Sequence, residues 1–223
     1  LLGVSGGGKT TLFNIIAGLS IPDEGDVWLD EEKVTGQAGT VSYMLQKDLL
    51  LPYRTILDNV ALPLRVLGMK KKEARQIAVP YFAEFGLEGT EKKYPAQISG
   101  GMKQRAALLR TYLFSIKRGK KVALLDEPFS ALDYQTRIMV TNDIYEILRK
   151  EKITALIVTH DISEAVSMSD RVLVLSKRPG TIKSTHKIHF EMNGERNPLN
   201  CRECPEFSKY FNTLWKELGV DEK

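Results

Sequence analysis

The chain has 223 residues, with 32 Lys or Arg against 28 Asp or Glu, so its formal net charge is only +4. This near balance does not indicate a nucleic-acid-binding protein, which concentrates positive charge. The length and the hydrophobic fraction of 43% suit one globular domain. No apolar run approaches the roughly 20 residues of a membrane-spanning helix, so we expect any membrane role to act through another chain.

The two ends of the chain carry weaker signals. Cys201 and Cys204 are too few for a disulfide framework and no signal peptide is visible, which favours a reducing, cytoplasmic setting. The opening residues Leu1-Leu2-Gly3 are typical of the end of a buried strand. We therefore expect N-terminal strands of the domain to precede them.

Short apolar runs alternate with helical patterns along most of the chain. The runs cover residues 41–45, 122–125, 155–158 and 172–175. Their length and polar boundaries predict strands of a parallel α/β sheet, buried on both faces. Helical apolar stripes occupy positions 12, 13, 16 and 19, then 102, 106, 109 and 113, then 140, 144, 147 and 148. We expect each stripe to pack against the sheet.

The pattern changes between residues 48 and 94, where helical segments are broken by prolines and glycines. We interpret this stretch as an inserted, mostly helical lobe. Residues 181–190 are rich in β-branched side chains and predict a strand or hairpin, and residues 206–218 predict a tail helix. One domain over 1–223 results, with a core over 1–47 and 116–190, a helical subdomain over 48–115 and a tail over 191–223.

A glycine-rich segment follows the first strand end and precedes the first helical stripe. Its residues are Gly3, Val4, Ser5, Gly6, Gly7, Gly8, Lys9, Thr10 and Thr11. The segment fits the phosphate-binding loop, in which glycines and a helix N-terminus turn backbone N–H groups toward phosphate oxygens. Lys9 is then expected to contact the β- and γ-phosphates and Thr10 to ligate Mg²⁺. The alternative is a flexible glycine turn.

Two acids end the apolar run at residues 122–125. A carboxylate at the end of a buried strand is costly unless a cation or hydrogen-bond donors satisfy it. Asp126 is therefore predicted to hold nucleotide-bound Mg²⁺, and Glu127 to polarise a water for attack on the γ-phosphate. The alternative is an N-capping pair that starts the next helix.

A second glycine-opened helix start lies at Ser99-Gly100-Gly101. Ser99 is a good N-cap, and the two glycines leave backbone N–H groups accessible to an anion. A capped helix after a loop is the commoner meaning of such a segment when it stands alone.

The segment from Ser99 to Met102 resembles the signature sequence of ABC transporter ATP-binding subunits, and it precedes Asp126-Glu127 as it does in that family. Other elements follow in the family's order. Gln46 is similar to the Q-loop glutamine, residues 130–133 to the D-loop and His160 to the switch histidine. The resemblance extends to about residue 182. Met102 departs from the usual glutamine.

The resemblance implies a P-loop NTPase (RecA-like) core with a parallel sheet, an antiparallel β part and the inserted helical subdomain. It also implies a head-to-tail homodimer in which ATP meets the phosphate loop of one copy and a trans set on the other. The trans set is Ser99, Gly100, Gly101, Met102 and Asp133. Catalytic roles fall to Glu127 as general base and to His160 and Gln46, and the Mg²⁺ ligands are Thr10, Gln46 and Asp126.

The amino-acid sequence of residues 95–102 and 129–133 resembles that of importer subunits for nitrate, sulfonate, taurine and related solutes. That resemblance implies an ATPase at the cytoplasmic face of the cell membrane. Its partners would be separate permease subunits, gripped by the inserted lobe, and indirectly a solute-binding protein. The sequence does not encode the solute.

Two alternative functions lie outside this interpretation. A nucleic-acid-repair ATPase of the same superfamily would need long heptad arms, which this chain lacks. A small-molecule kinase would share the phosphate loop but leave the segment 99–105 and His160 unexplained.

Four tail residues also have side chains that can ligate zinc, although the simpler interpretation is that the two thiols are incidental. They are His186, His189, Cys201 and Cys204.

Overall fold

The structure is a computed structural model and describes residues 1–4, 6–119, 121–192 and 194–219. Its strands are β1 (Trp28–Leu29), β2 (Glu32–Lys33), β3 (Ser42–Met44), β4 (Val122–Asp126), β5 (Thr154–Val158), β6 (Arg171–Leu175) and β7 (Ile182–Lys187). Its α-helices are α1 (Lys9–Ile16), α2 (Ile56–Val60), α3 (Leu62–Val66), α4 (Lys71–Ala78), α5 (Tyr81–Glu84), α6 (Gly100–Arg118), α7 (Tyr134–Lys150), α8 (Ile162–Met168), α9 (Pro198–Cys201) and α10 (Pro205–Glu217).

A parallel sheet lies at the centre of the fold. Strand β4 pairs in parallel with β3 on one side and with β5 on the other. Leu2 then forms parallel bridges to Thr159 and to Val174, so the chain start lies between β5 and β6. Strand β6 pairs antiparallel with β7, as β1 does with β2. The predicted parallel sheet with an antiparallel part is confirmed.

The helices that flank the sheet begin at capping side chains. Ser99 accepts a hydrogen bond from Met102 N at the start of α6, and Asp133 accepts one from Thr136 N at the start of α7. Helix α6 ends at Arg118, and the next residue, Gly119, is its C-cap. Gly119 has the left-handed φ of 70° that is typical of a glycine C-cap. The α7 stripe at residues 140, 144, 147 and 148 is fully buried. Local capping and apolar periodicity therefore place these two helices where the sequence predicts.

The first apolar stripe is only partly right. Helix α1 ends at Ile16, so Leu19 lies beyond it and is 60% exposed. Leu12 is also exposed, and only Phe13 of the stripe is fully buried. The periodicity counted residues past the end of the helix, where the chain turns away at Gly18 with a φ of 72°.

The lobe between residues 48 and 94 consists of α2 to α5 and turns, followed by a 3₁₀ turn over Pro95–Gln97, and no strand forms in it. Its core includes Phe82, Phe85 and Leu87, each at most 1% exposed, and is continuous with the buried face of α6. Helix α6 passes without a break through residue 115, the predicted end of the subdomain. The division of the chain at residues 47, 115 and 190 remains a prediction.

The tail folds back onto the core. Helix α10 matches the predicted tail helix to within one residue at each end and packs against α8. Cys201 and Leu214 are fully buried in this cluster beside Phe190 and Val166. Within the described ranges, no helix is long and apolar enough to cross a bilayer.

Asn59 ties the loop that precedes α2 to that helix, which gives a stability prediction. Its Oδ1 accepts from Leu51 N at 2.6 Å, and its Nδ2 lies 3.1 Å from Leu51 O, 3.2 Å from Arg54 O and 3.0 Å from Thr55 O. Leu51 O also accepts from Arg54 N, and Thr55 O accepts from Asn59 N. Because Asn59 is fully buried, Asn59→Ala removes the acceptor of Leu51 N and the donor to Arg54 O. We expect the free energy of unfolding to fall by about 2 kcal/mol, measured by urea denaturation.

Val66→Ala is the matched control, since Val66 is 75% exposed on the neighbouring helix α3. Its effect should stay within about 0.5 kcal/mol. An Asn59→Ala protein as stable as this control would show that the loop does not depend on the amide.

Candidate functional site

Three predicted site residues follow three neighbouring strands of the parallel sheet. Glu127 comes directly after β4, while Gln46 and His160 each come two residues after the ends of β3 and β5. The carboxyl ends of parallel strands meet at one edge of a sheet, which is where α/β folds bind ligands. Chain order and strand pairing together therefore bring these side chains to one edge.

The glycine-rich loop joins the chain start to α1 at the same edge. Gly8 is the N-cap of α1 with a φ of 88°, and Gly6 has a φ of 79°. Both values fall in the left-handed region that side chains disfavour. The turn exposes the N-terminus of α1, as a phosphate-binding loop requires. Ser5, predicted as part of this loop, lies outside the described residues.

Lys9 lies beneath the loop. Its Nζ donates to Gly3 O and to Val4 O, each at 2.9 Å, and the residue is 6% exposed. Burial lowers the pKa of Lys9, and the carboxylates of Glu127 and Asp126 oppose that shift. A cation that donates to two loop carbonyls and lies near acidic groups is suited to exchange these contacts for phosphate oxygens.

Asp126 ends β4 and is 5% exposed. Its Oδ2 accepts from Thr10 Oγ1 at 3.4 Å and from Tyr43 OH at 3.3 Å, both long contacts. Burial raises the pKa of this carboxyl, while the hydrogen bond from Tyr43 lowers it. A buried carboxylate beside a threonine hydroxyl, with Gln46 on the adjacent strand end, is the oxygen-donor chemistry that Mg²⁺ prefers. These residues fit the ion.

Tyr43 is a site residue that the sequence analysis missed. It lies in β3 opposite Leu124 and meets Phe13 edge-on, with ring centroids 5.9 Å apart. Burial and the neighbouring Asp126 raise its pKa to about 12, so the phenol keeps its proton and donates. The available signal was a tyrosine inside a strand predicted to be buried, because a buried phenol needs a hydrogen-bond partner.

Glu127 joins two other predicted catalytic residues. Gln46 Nε2 donates to Glu127 Oε2 at 2.9 Å, and His160 Nδ1 lies 3.2 Å from Glu127 Oε1. The Glu127 side chain is 17% exposed and the His160 side chain 55%. The carboxylate is therefore oriented from both sides while it still reaches solvent, which a base acting on water requires.

The backbone of Glu127 is held in an unusual conformation. Its φ is 45°, which is rare for a residue with a side chain. Its N–H donates to Val158 O at 2.8 Å, and its carbonyl accepts from Ser130 N at 3.2 Å and Ser130 Oγ at 3.1 Å. These bonds offset the strain and fix the direction of the carboxylate.

An open cleft of about 1200 Å³ adjoins these groups. Gly6 to Leu12, Gln46, Glu127 and His160 line it. The sequence analysis did not anticipate two other parts of the lining, Asp23 and the segment 178–180. That segment lies against the phosphate loop so closely that a Cβ at Gly180 would come 2.2 Å from Gly7 O. Only glycine fits there.

The signature-like segment has a packing role inside its own chain. A Cβ at Gly101 would lie 3.0 Å from Val140 Cγ2 and 3.2 Å from Thr136 Cγ2, so glycine allows α6 to approach α7 closely. Ser99 caps α6 through Met102 N at 3.3 Å. The simpler structural meaning of a capped helix start thus holds within one copy.

Gly100 and Asp133 of the trans set also make contacts within their own copy. Gly100 lies against Leu132, and Asp133 Oδ1 accepts from Thr136 N at 3.1 Å. Among the described residues that line the cleft, none belongs to 99–102 or is Asp133. The structure therefore does not bring the trans set to the phosphate loop of the same copy.

The four tail residues with zinc-ligand chemistry do not form a common site. His186 Nε2 lies 3.1 Å from Glu217 and from Ser184 Oγ, and Cys201 is buried in the tail core. Cys204 Sγ contacts Asn200 O, and both thiols are free. Over the described ranges no group of three or more His, Cys, Asp or Glu is placed to hold a metal ion.

Known proteins are similar to this chain in sequence and in fold. The family model described as ABC transporter matches residues 1–130. The formylaminopyrimidine import ATP-binding protein ThiZ of Halalkalibacterium halodurans is 47% identical over 179 residues, covering 80% of this chain and 68% of the relative. The nitrate import ATP-binding protein NrtD of Synechocystis sp. is 38% identical over 217 residues, covering 96% and 80%.

A solved structure is similar as well. It is the dimeric structure of a post-hydrolysis state of the ATP-binding cassette MJ0796 bound to ADP and Pi. The TM-score is 0.68 at 29% sequence identity, and the match covers 84% of each chain. The P-loop NTPase fold predicted from the sequence is confirmed, and the chain belongs to the ABC transporter family.

Proposed function

We propose that this chain is the ATP-binding and ATP-hydrolysing subunit of an importer, acting as a homodimer on separate permease subunits. The observation that carries the proposal is the meeting of Gln46, Glu127 and His160 beside the phosphate loop, next to the buried Asp126. The chain's similarity to import ATP-binding proteins supports coupling of hydrolysis to transport.

Binding of ATP uses the loop and the two residues at its base. The N-terminus of α1 and the backbone N–H groups of residues 3–11 receive the phosphates, and Lys9 Nζ exchanges loop carbonyls for β- and γ-phosphate oxygens. Thr10, Asp126 and Gln46 would hold Mg²⁺. When bound, the ion would neutralise negative charge on the phosphates and stabilise the charge that develops on the leaving group.

The hydrolytic step uses Glu127 as the base. Its carboxylate accepts a proton from the water that attacks the γ-phosphorus, while the bond from that phosphorus to the β–γ bridging oxygen breaks and ADP leaves with the electron pair. Gln46 orients the same carboxylate and the water. His160 holds the γ-phosphate and orients the Glu127 carboxylate through its other oxygen, Oε1.

The active form is a head-to-tail dimer. Ser99, Gly100, Gly101, Met102 and Asp133 do not reach the cleft of their own copy, whereas an open cleft needs cover over the γ-phosphate. A two-fold pair supplies each cleft with the α6 N-terminus of the other copy. The dimeric post-hydrolysis structure to which this chain is similar supports the arrangement.

The permease binds at the helical lobe. A groove of about 420 Å³ lies between lobe and core, lined by apolar side chains that include Leu49, Pro63, Val66 and Phe114. Leu49 is 49% exposed and Val66 75%, as expected of a surface that another chain covers. Arg110 donates to Asp48 O and Leu49 O and so ties the groove to the loop that carries Gln46.

The solute belongs to the class of small polar compounds that includes nitrate, sulfonates and taurine. Similarity to a formylaminopyrimidine import protein widens that class. Selection of the solute lies with the permease and with a solute-binding protein, since the described site is built around phosphate groups. The subunit acts at the cytoplasmic face of the membrane, where ATP is available.

Glu127→Gln tests the base. The amide keeps the size of the side chain but cannot accept the proton, so we expect kcat to fall by about 100-fold or more while ATP binding persists. Turnover is measured by phosphate release and binding by equilibrium titration. Glu24→Gln, an exposed change outside the cleft lining, is the control. Unchanged turnover in Glu127→Gln would assign the base elsewhere.

Tyr43→Phe tests the support of Asp126. The hydrogen bond from Tyr43 lowers the pKa of Asp126, so its removal raises that pKa and disfavours the charged form that binds a cation. We expect half-maximal ATPase activity to need about tenfold more Mg²⁺, with a larger defect at acidic than at neutral pH. A Mg²⁺ requirement equal to that of wild type at both pH values would contradict the role.

Mixing two inactive variants tests the dimer. Lys9→Ala removes the phosphate contact, and Ser99→Asp keeps an N-capping group but places a carboxylate against the phosphate of the other copy. Each variant alone should lose ATPase activity. A mixture should regain it, because the mixed dimer contains one site with both parts intact. No recovery on mixing, with mixed dimers demonstrated by tagged pull-down, would refute the shared site.

A further inference from the structure

Arg137 connects two segments of the site that the mechanism above treats separately. It lies in the first turns of α7, four residues after Asp133. Its Nη2 donates to Leu132 O at 2.9 Å, in the segment 130–133 assigned to the contact with the partner's ATP. Its Nη1 lies 3.6 Å from Oδ2 of Asp161, the residue that directly follows His160. One guanidinium therefore touches both segments.

A third contact of Arg137 reaches the helix that follows His160. The Arg137 Nε lies 4.0 Å from Glu164 Oε1 in α8 and has no hydrogen-bond acceptor among the described residues. The Glu164 side chain is only 6% exposed, and its Oε2 accepts from Thr159 Oγ1 at 2.6 Å. Burial raises the pKa of Glu164, while the bond from Thr159 and the charge of Arg137 lower it. Thr159, Asp161 and Glu164 thus form a polar frame around His160.

The frame is rigid on the His160 side. Asp161 Oδ1 caps α8 by accepting from Ser163 N at 2.7 Å and Glu164 N at 3.1 Å, and Asp161 N donates to Thr159 Oγ1 at 3.0 Å. The carboxylate oxygen that faces Arg137 is the other one, Oδ2. The ion pair therefore links Arg137 to the capped segment that follows His160.

The geometry points to Arg137 as a positioning residue that couples the two ATP sites of the dimer. We propose that contact of Asp133 with the partner's ATP moves Leu132 O and Arg137, and that Arg137 then sets His160 against the γ-phosphate in its own copy. The inference rests on the proposed dimer. The planar guanidinium suits this task because it directs one N–H at the Leu132 carbonyl while its charge faces the carboxylates of Asp161 and Glu164, which the single ammonium of a lysine does not reproduce.

The test compares Arg137→Met with Arg149→Met. Arg149 lies on the same helix and also pairs with an acid, Asp170 at 3.6 Å, but it lies over the ring of Tyr145 and not against Leu132 O and Asp161. The measured quantities are kcat, KM for ATP, the shape of the ATP dependence and the melting temperature. In Arg137→Met we expect kcat to fall about 10- to 100-fold, KM to change little and sigmoidal ATP dependence to be lost. Arg149→Met should retain wild-type kinetics.

Two further variants keep the test valid if Arg137→Met is unstable. Asp161→Asn preserves the capping Oδ1 but removes the charge that faces Arg137, and should reproduce the kinetic defect with an unchanged melting temperature. Arg137→Lys should restore the melting temperature but not the sigmoidal dependence. In the double variant Arg137→Met/Asp161→Asn, the two defects should not multiply, because both break one connection.

The outcomes separate the inference from the proposed function. Sigmoidal dependence that persists in Arg137→Met and Asp161→Asn, or defects that multiply in the double variant, would overturn the coupling role and leave the ATPase proposal intact. An equal defect in Arg149→Met would also overturn the coupling role, because it would reflect the loss of any α7 cation. Wild-type protein without ATPase activity would refute the proposed function and the coupling with it.

Discussion

The cost of burying a carboxylate at the end of a hydrophobic strand governs the arrangement of this molecule. Strand β4 runs through Ala123, Leu124 and Leu125, each at most 2% exposed, directly into Asp126. Within the described part of the chain, that carboxylate accepts two long hydrogen bonds, from Thr10 and Tyr43. Lys9 is turned onto loop carbonyls. The resulting deficit favours a cation and phosphate groups, which together satisfy both charges.

The same sheet edge explains how the proposed base can be held beside the proposed Mg²⁺ site. Glu127 follows Asp126 directly, and its left-handed backbone turns its carboxylate toward Gln46 and His160. A bond to Val158 O on the neighbouring strand maintains this conformation. The backbone strain thus persists because it is anchored to a buried parallel sheet, which cannot relax without breaking its ladder.

Three arginines connect this sheet edge to the surrounding helices and to the tail. Arg110 of α6 binds backbone carbonyls after Gln46, Arg137 of α7 binds Leu132 O, and Arg196 in the tail binds Ser169 O at the end of α8. Each guanidinium reaches a connecting segment next to the sheet. Such polar attachments are directional, whereas apolar packing alone would allow sliding. These hydrogen bonds connect the edge to the lobe and to the tail.

The sequence by itself determined the features that depend on local pattern and chain order. Apolar runs located the strands, capping residues such as Ser99 located helix starts, and Leu19 failed only because periodicity does not show where a helix ends. Parallel strands have a common carboxyl edge, which explains why Gln46, Asp126, Glu127 and His160 lie close together in the structure. The family resemblance supplied roles for Gln46 and His160, since a lone glutamine or histidine carries no readable signal.

Tertiary structure alone decided the contacts between residues far apart in sequence. The hydrogen bond from Tyr43 to Asp126 spans 83 positions, and the approach of Gly180 to Gly7 brings a distant turn over the phosphate loop. The bridge from Arg137 to Asp161 joins a helix to the end of another strand. Side-chain periodicity reports which face of an element is buried but not which partner it meets, because that choice depends on how the elements pack around one sheet.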